Sequence, residues 1–210
     1  VIPEFARSLA MKTLLLVDGS SYLYRAFHAI GELRSSKGEP TNAIYGVINM
    51  LRRLEADYKA DYRAVVFDAK GKTFRDDLYA EYKAQREKQP DILYQQLDIV
   101  RELLEALGVA TLDLKGFEGD DLTATIVDRC ERDGNDVVIV TGDRDSYQLV
   151  RDPHVRVLYN KRGVSDYALY DERGILERTG VTPAQYVDYA ALRGDPSDNL
   201  DGLPGVGEKT

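Results

Sequence analysis

The chain has 210 residues, with 28 Lys+Arg against 36 Asp+Glu, a net charge of −8, which is enough to bury a sizeable core as one domain. That balance argues against a globally basic nucleic-acid binder, although clustered metal-binding carboxylates can inflate the acid count while a basic surface stays local. The single cysteine, Cys130, excludes an internal disulfide and a cysteine-rich metal site and fits a reducing cytoplasm, and no apolar run reaches membrane-spanning length.

Residues 1–10, VIPEFARSLA, lack the basic start and apolar core of a signal peptide. With Met11 reading as the natural start, they are expected to be an added or disordered leader. Thr13 to Val17 is an apolar run ending in Asp18-Gly19-Ser20, a buried strand with a carboxylate at its carboxyl end. Ser21 to Ile30 has helical spacing, Ser35 to Pro40 is turn-rich, and Ala43 to Tyr58 is an amphipathic helix. A second strand, Tyr62 to Phe67, ends in Asp68. After it come Lys70, Lys72 and Arg75, then Leu78 to Lys88, where helical spacing would put Lys83 and Arg86 on one face beside Tyr82.

Asp91 to Leu107 is a further amphipathic helix with Gly108 as its stop, and Val109 to Leu114 supplies a third strand. Glu118, Asp120 and Asp121 then stand at the start of a helix carrying Leu122, Ile126 and Val127. The β-branched run Val137 to Val140 is a strand covered on both faces, and it delivers Asp143 and Asp145. A short helix, Ser146 to Val150, leads to strands at Val155 to Tyr159 and Tyr167 to Tyr170. Pro183 to Leu192 is a helix that ends at Gly194-Asp195-Pro196-Ser197-Asp198-Asn199, and the chain closes through Gly205-Val206-Gly207-Glu208-Lys209-Thr210.

Strands alternating with helices imply a parallel sheet. Asp18, Asp68 and Asp143 then meet at its carboxyl edge, where open α/β sheets bind ligands. Carboxylates gathered at one spot need a counter-cation, and an all-oxygen set suits Mg²⁺ or Mn²⁺. His28 and His154 show no metal-ligand spacing and read as structural or surface residues. A strand ending in Asp18-Gly19-Ser20, with no glycine-rich phosphate loop, disfavours a Rossmann-type nucleotide binder.

Several segments together resemble the 5′-nuclease domains of bacterial DNA polymerase I. They are Leu16 to Ala26, Val66 to Lys70 with Thr73-Phe74-Arg75, Glu81-Tyr82-Lys83 with Arg86, Glu118 to Asp121, Thr141 to Asp145, Gly194 to Asn199 and Gly205 to Thr210. The implied family is the flap endonucleases and 5′→3′ exonucleases, with a PIN-like α/β fold: a mostly parallel sheet flanked by helices. The resemblance implies a catalytic domain over 11–192, then an acidic loop and the start of a truncated helix-hairpin-helix over 193–210.

It also implies two Mg²⁺ or Mn²⁺, with Asp18, Asp68, Glu118, Asp120 and Asp121 around the first. Asp143, Asp145, Asp195 and Asp198 would surround the second. Tyr82, Lys83 and Arg86 would grip the scissile phosphate, with Arg25 and Arg75 either as further phosphate contacts or as neutralisers of the acids. Lys70, Lys72, Gly205, Val206, Gly207 and Lys209 would bind DNA, with K⁺ a further candidate at the hairpin.

The implied reaction is in-line phosphodiester hydrolysis between two metals about 3.5–4 Å apart. The implied substrates are 5′ flaps, nicked or gapped junctions, and RNA primers in hybrid. A monomer at the bacterial nucleoid, with a polymerase domain in cis or trans, would be its setting. Gly119 stands where relatives usually have alanine, and Glu87-Lys88 where they have proline. The alternatives are a PIN-type ribonuclease and a non-catalytic nucleic-acid-binding module on the same fold.

Overall fold

The computed structural model describes residues 11–162 and 166–207; the expected leader and Lys209 lie outside them. In chain order come β1 (Thr13–Asp18), α1 (Gly19–Ala29), α2 (Asn42–Asp57), β2 (Tyr62–Val66), α3 (Phe74–Leu78), α4 (Asp91–Ala106), β3 (Ala110–Leu112), α5 (Gly119–Arg132) and β4 (Asp136–Thr141). A 3-10 turn at Arg144–Leu149 precedes β5 (Val155–Arg162), β6 (Asp166–Tyr170), α6 (Glu172–Thr179) and α7 (Tyr186–Arg193). A short hairpin, β7 (Gly194–Asp195) with β8 (Leu200–Asp201), is the last regular element among the described residues.

The main sheet runs β3-β2-β1-β4-β5-β6. Every pairing is parallel except that of the edge strand β6 with β5. Leu15, Leu16 and Val17 are almost fully buried, as a central strand covered on both faces requires. One face packs on α1, α2 and α4 through Tyr22, Val47, Met50, Leu54, Val100 and Leu104. The other packs on Val127, Tyr147, Ile175 and Tyr186 from α5, the 3-10 turn, α6 and α7.

Strand order reverses direction across β1 and β4, so the loops after these strands diverge and leave a crevice. In register, Asp18 is opposite Val66, and Val17 is opposite Val140. Asp68 and Asp143 therefore emerge beside Asp18 at the same edge.

Leu78 to Lys88 is not a helix. α3 ends at Leu78 and the chain goes on in turns, with Lys83 at φ 54°. Its polar groups are taken up by a distant loop: Lys83 N donates to Asp198 O (3.0 Å), and Asn199 Nδ2 donates to Glu81 O (2.8 Å). α6, which periodicity did not suggest, has Ile175 as its single fully buried residue. Residues 203–206 form a turn closed by Val206 N donating to Leu203 O (3.0 Å), with Gly205 at φ +84°.

One buried polar side chain ties the helical layer together. Gln96 of α4 is fully buried, and its Oε1 accepts from Ala43 N (2.8 Å) in the first turn of α2, where Thr41 makes no side-chain cap. Its Nε2 donates to Asn42 Oδ1 (3.0 Å). Gln96→Leu would strand that amide and cost about 2 kcal/mol. The expected outcome is a melting temperature lowered by about 4–8 °C with the circular dichroism spectrum unchanged; an equal or higher melting point would show that Gln96 does not cap α2.

Candidate metal centre

Two overlapping groups of acids occupy the crevice. In the first, Asp18 ends β1 and caps α1: its Oδ1 accepts from Ser21 N (2.9 Å) and its Oδ2 from Thr141 Oγ1 (2.7 Å). Burial pushes the Asp18 carboxyl up to about 6 against those two hydrogen bonds, with Asp68 and Asp143 adding to the rise. Asp68 follows β2, and its Oδ1 accepts from Gly119 N (2.7 Å) at the start of α5.

The same α5 terminus presents Asp120. Burial in the crevice, then the like charges of Asp18, Asp143, Asp68 and Glu118, push its carboxyl up to about 8. Asp120 keeps contact with solvent, which screens part of that repulsion. A Cβ on Gly119 would stand 3.3 Å from Asp68 Oδ1, so glycine here costs α5 little and leaves that carboxylate room.

Asp145 leads the second group. Burial raises its carboxyl to about 6, followed by the charges of Asp143, Asp195 and Asp198. Asp143 thus belongs to both groups; its Oδ1 accepts from Asp145 N (2.9 Å). Burial works against Asp195 as well, but the Ser197 hydroxyl (2.7 Å) and amide (2.8 Å) hold it below the usual carboxylate range.

A cationic wall closes one side. Arg75 forks onto Asp121 at 2.7 and 2.8 Å and, more than burial opposes, holds that carboxyl below its ordinary value. Asp121 Oδ2 also accepts from Glu118 N (2.9 Å), capping α5. Lys83 Nζ lies 2.8 Å from Glu118 Oε1 and 3.8 Å from Asp198 Oδ2. Tyr82 Oη bridges Glu118 (3.1 Å) and Asp198 (3.2 Å), and Arg86 pairs with Asp198.

Asp121 and Glu118 thus sit at the edge of the first group, engaged with cations, whereas Asp18, Asp68, Asp120 and Asp143 form its interior. Arg25 packs against Gly142, where a Cβ would come within 2.6 Å of its Nη2. Lys70 and Lys72 are exposed, Lys70 lying 6.0 Å over the Tyr94 ring. Gly205 and Val206 lie in the turn over 203–206, and Gly207 follows it. Thr141, Ser20 and Ser197, which orient Asp18, Asp68 and Asp195, escaped the sequence reading; their signal was a hydroxyl within two residues of an aspartate.

Among the described residues, no three acid, His or Cys side chains close tightly enough on one point to hold a metal ion as they stand. Asp18, Asp68, Asp121, Asp143, Asp195, Asp198 and Glu118 are each drawn to a protein donor named above. The chemistry of the set still fits a hard divalent cation: all-oxygen donors crowded and buried until three of them, Asp18, Asp120 and Asp145, resist ionising.

The family described as 5′-3′ exonuclease, N-terminal resolvase-like domain, matches residues 13–180. DNA polymerase I of Mycobacterium bovis is 48% identical over 203 residues, taking in 96% of this chain and 22% of that protein. This chain therefore spans about a fifth of the length of such relatives. A bacteriophage T5 protein co-crystallized with metal ions superposes with a TM-score of 0.78 at 23% identity, over 94% of this chain and 72% of that one. The T5 flap endonuclease in a pseudo-enzyme-product complex with DNA and metal ions gives 0.76 at 25%, with the same coverage. The fold is thus the PIN-like α/β fold of these nucleases.

The raised carboxyls set a pH dependence. Asp18, Asp145 and Asp120 keep protons in the folded state that the unfolded chain, at an ordinary value of 3.8, has already released. Stability present below 3.8 is therefore lost as pH rises through about 6 and then about 8. In EDTA, the melting temperature is expected to fall by about 5 °C between pH 5 and pH 8, and Asp120→Asn to flatten that slope. A melting point that rises over the interval would contradict the electrostatics.

Proposed function

This chain belongs to the 5′-3′ exonuclease family with the N-terminal resolvase-like domain, and from that premise we propose that it hydrolyses phosphodiester bonds at the 5′ ends and 5′ flaps of DNA. The observation that carries this reading is the acidic crevice at the sheet's carboxyl edge, walled by Tyr82, Lys83 and Arg86. Junctions with nicks or gaps and RNA primers in hybrid are the substrates the reading entails. A monomeric domain working with a polymerase domain, in the bacterial cytoplasm, is its setting.

Asp18, Asp68, Glu118, Asp120 and Asp121 are assigned to one Mg²⁺ or Mn²⁺, and Asp143, Asp145, Asp195 and Asp198 to a second. Bound there, such ions supply a water of lowered pKa and positive charge for the attacking and leaving oxygens. The chain's own cations do the rest. Lys83 and Arg86, held by Glu118 and Asp198, stand where they can exchange a carboxylate for a phosphate oxygen whose charge grows in the transition state. Tyr82 offers an aromatic face for a splayed base. Arg25 is assigned to the phosphate path, whereas the fork onto Asp121 favours a positioning role for Arg75. Lys70, Lys72 and the turn Gly205-Val206-Gly207, with Lys209 and a K⁺ ion, are assigned to duplex binding.

A 5′-labelled flap duplex tests the proposal. Cleavage is expected with Mg²⁺ or Mn²⁺ and none in EDTA; activity persisting in chelator would sink the metal assignment. Lys83→Ala is expected to lower the single-turnover rate by about 100-fold while duplex affinity changes by less than about threefold. A defect rescued by excess substrate would instead make Lys83 a binding residue.

A further inference from the structure

Behind the second acidic group, on the side of the sheet covered by α6 and α7, lies a cavity of about 270 Å³. Arg144, Arg178, Arg193, Tyr147, Tyr186 and Tyr189 line it, with no acidic residue among the described lining residues. Arginines this close together would ordinarily be interleaved with carboxylates. Here phenols and rings hold two of them. Arg178 Nε donates to Tyr147 Oη (2.9 Å) and its Nη1 to Tyr170 Oη (3.1 Å), with the guanidinium 5.1 Å over the Tyr159 ring. Arg193 donates from Nε to Gly194 O (3.2 Å) and lies 5.4 Å over Tyr189. Neutral oxygens and π faces position a guanidinium without cancelling its charge. Each guanidinium has five N–H donors, so both keep donors to spare.

The second observation is Tyr186. It is 1% exposed, yet its hydroxyl has no hydrogen-bond partner among the described residues. Arg193 acts on it as a charge and as a hydrogen-bond donor at the margin of good geometry, so the phenol oxygen is approached while its own proton meets no acceptor. A buried O–H with no acceptor is costly unless something in the cavity meets it. Packing fixes its direction, because the Tyr186 ring contacts those of Tyr147 (5.5 Å) and Tyr189 (5.7 Å). The cavity has room for several waters, at about 30 Å³ each, or for one tetrahedral oxyanion.

We propose that this cavity is a phosphate-binding site, in which Arg178, Arg193 and the Tyr186 hydroxyl take a phosphate group carried by a nucleic-acid 5′ end or by a free mononucleotide. Guanidinium forks match phosphate oxygens in geometry as well as charge. The site adjoins the acidic crevice without being part of it: Arg144 stands between Asp143 and Asp145 in sequence, and Arg193 directly precedes Gly194-Asp195. A phosphate there would partly offset Arg193, whose charge now favours ionised Asp145 and Asp195.

The test needs no cleavage and is run in EDTA, so its outcome is independent of the hydrolytic reading. With ¹⁵N-arginine-labelled protein, inorganic phosphate is titrated while the Arg178 and Arg193 Nε–H resonances are followed. Saturable shifts are expected, weakened about tenfold by Arg178→Gln or Arg193→Gln and at least threefold by Tyr186→Phe, which removes one oxygen and keeps the packing. Shifts that do not saturate, or affinities unchanged in both the Tyr186→Phe and the arginine variants, would overturn the proposal. Two further arms separate the sources. Tighter binding of a 5′-phosphorylated duplex than of its 5′-hydroxyl twin, abolished by Arg178→Gln, identifies a strand end. Equal binding of the two duplexes, with a 5′-mononucleotide preferred over inorganic phosphate, identifies a free nucleotide.

Discussion

The carboxylates of Asp18, Asp68, Asp120 and Asp143 repel one another, and the rest of the architecture exists around the need to keep them together. Their backbones cannot separate. Asp18 ends a strand whose Leu15, Leu16 and Val17 are buried and paired on both sides, and each such side chain contributes about 1.5–3 kcal/mol. Raising Asp18 from 3.8 to about 6 opposes this by on the order of 3 kcal/mol at most. Burial therefore wins within a single strand. The remaining strain is left in the side chains, which turn toward Ser21, Thr141, Gly119 and Asp145 amides or hydroxyls for relief.

The second constraint is a docking between segments more than a hundred residues apart. The turns around Glu81 to Arg86 lie on the loop Pro196 to Asn199 through Gln85 Nε2 to Pro196 O (2.7 Å), Arg86 Nε to Ser197 O (3.1 Å) and Asn199 Nδ2 to Glu81 O (2.8 Å). Neither segment has a hydrophobic core of its own. Asp198 and Lys83 are therefore placed by each other as much as by the sheet, and a change in one loop is felt by the acids and cations of both.

This explains what was legible in the sequence. β4 was readable because Val137 to Val140 is a continuous β-branched run, and α2 and α4 because their apolar stripes span sixteen residues each. The aspartates could be placed at one edge because parallel strands share a direction. Leu78 to Lys88 misled because its Tyr, Lys and Arg spacing is helical, while its true hydrogen-bond partners lie far along the chain and leave no local trace. α6 offered a single buried position, too little for periodicity. Gln96 looked like a polar interruption of the α4 stripe; only the fold shows that it caps α2. The split of the acids, with Asp121 and Glu118 held by cations and Asp120 turned into the crevice, depends on side-chain reach and could not be read from spacing.

That split has a mechanical consequence. Glu118 and Asp198 each face a cation now, and in the proposed reaction both would serve metals while Lys83 and Arg86 serve a phosphate. The same charges satisfy one another in the protein alone and are traded for new partners on binding. Partner exchange of this kind keeps the cost of desolvation low, because no group is left unpaired on either side of the event. It also makes the two arrivals interdependent. On the proposed reading, a cation entering the crevice would free Lys83 from Glu118, and a phosphate engaging Lys83 would free Glu118 for the cation. By linkage, each must strengthen the other to the same degree. On that reading the ion pairs of the cationic wall would couple metal binding to phosphate binding, and Tyr82, whose hydroxyl lies between Glu118 and Asp198, would keep the two halves of that exchange in register.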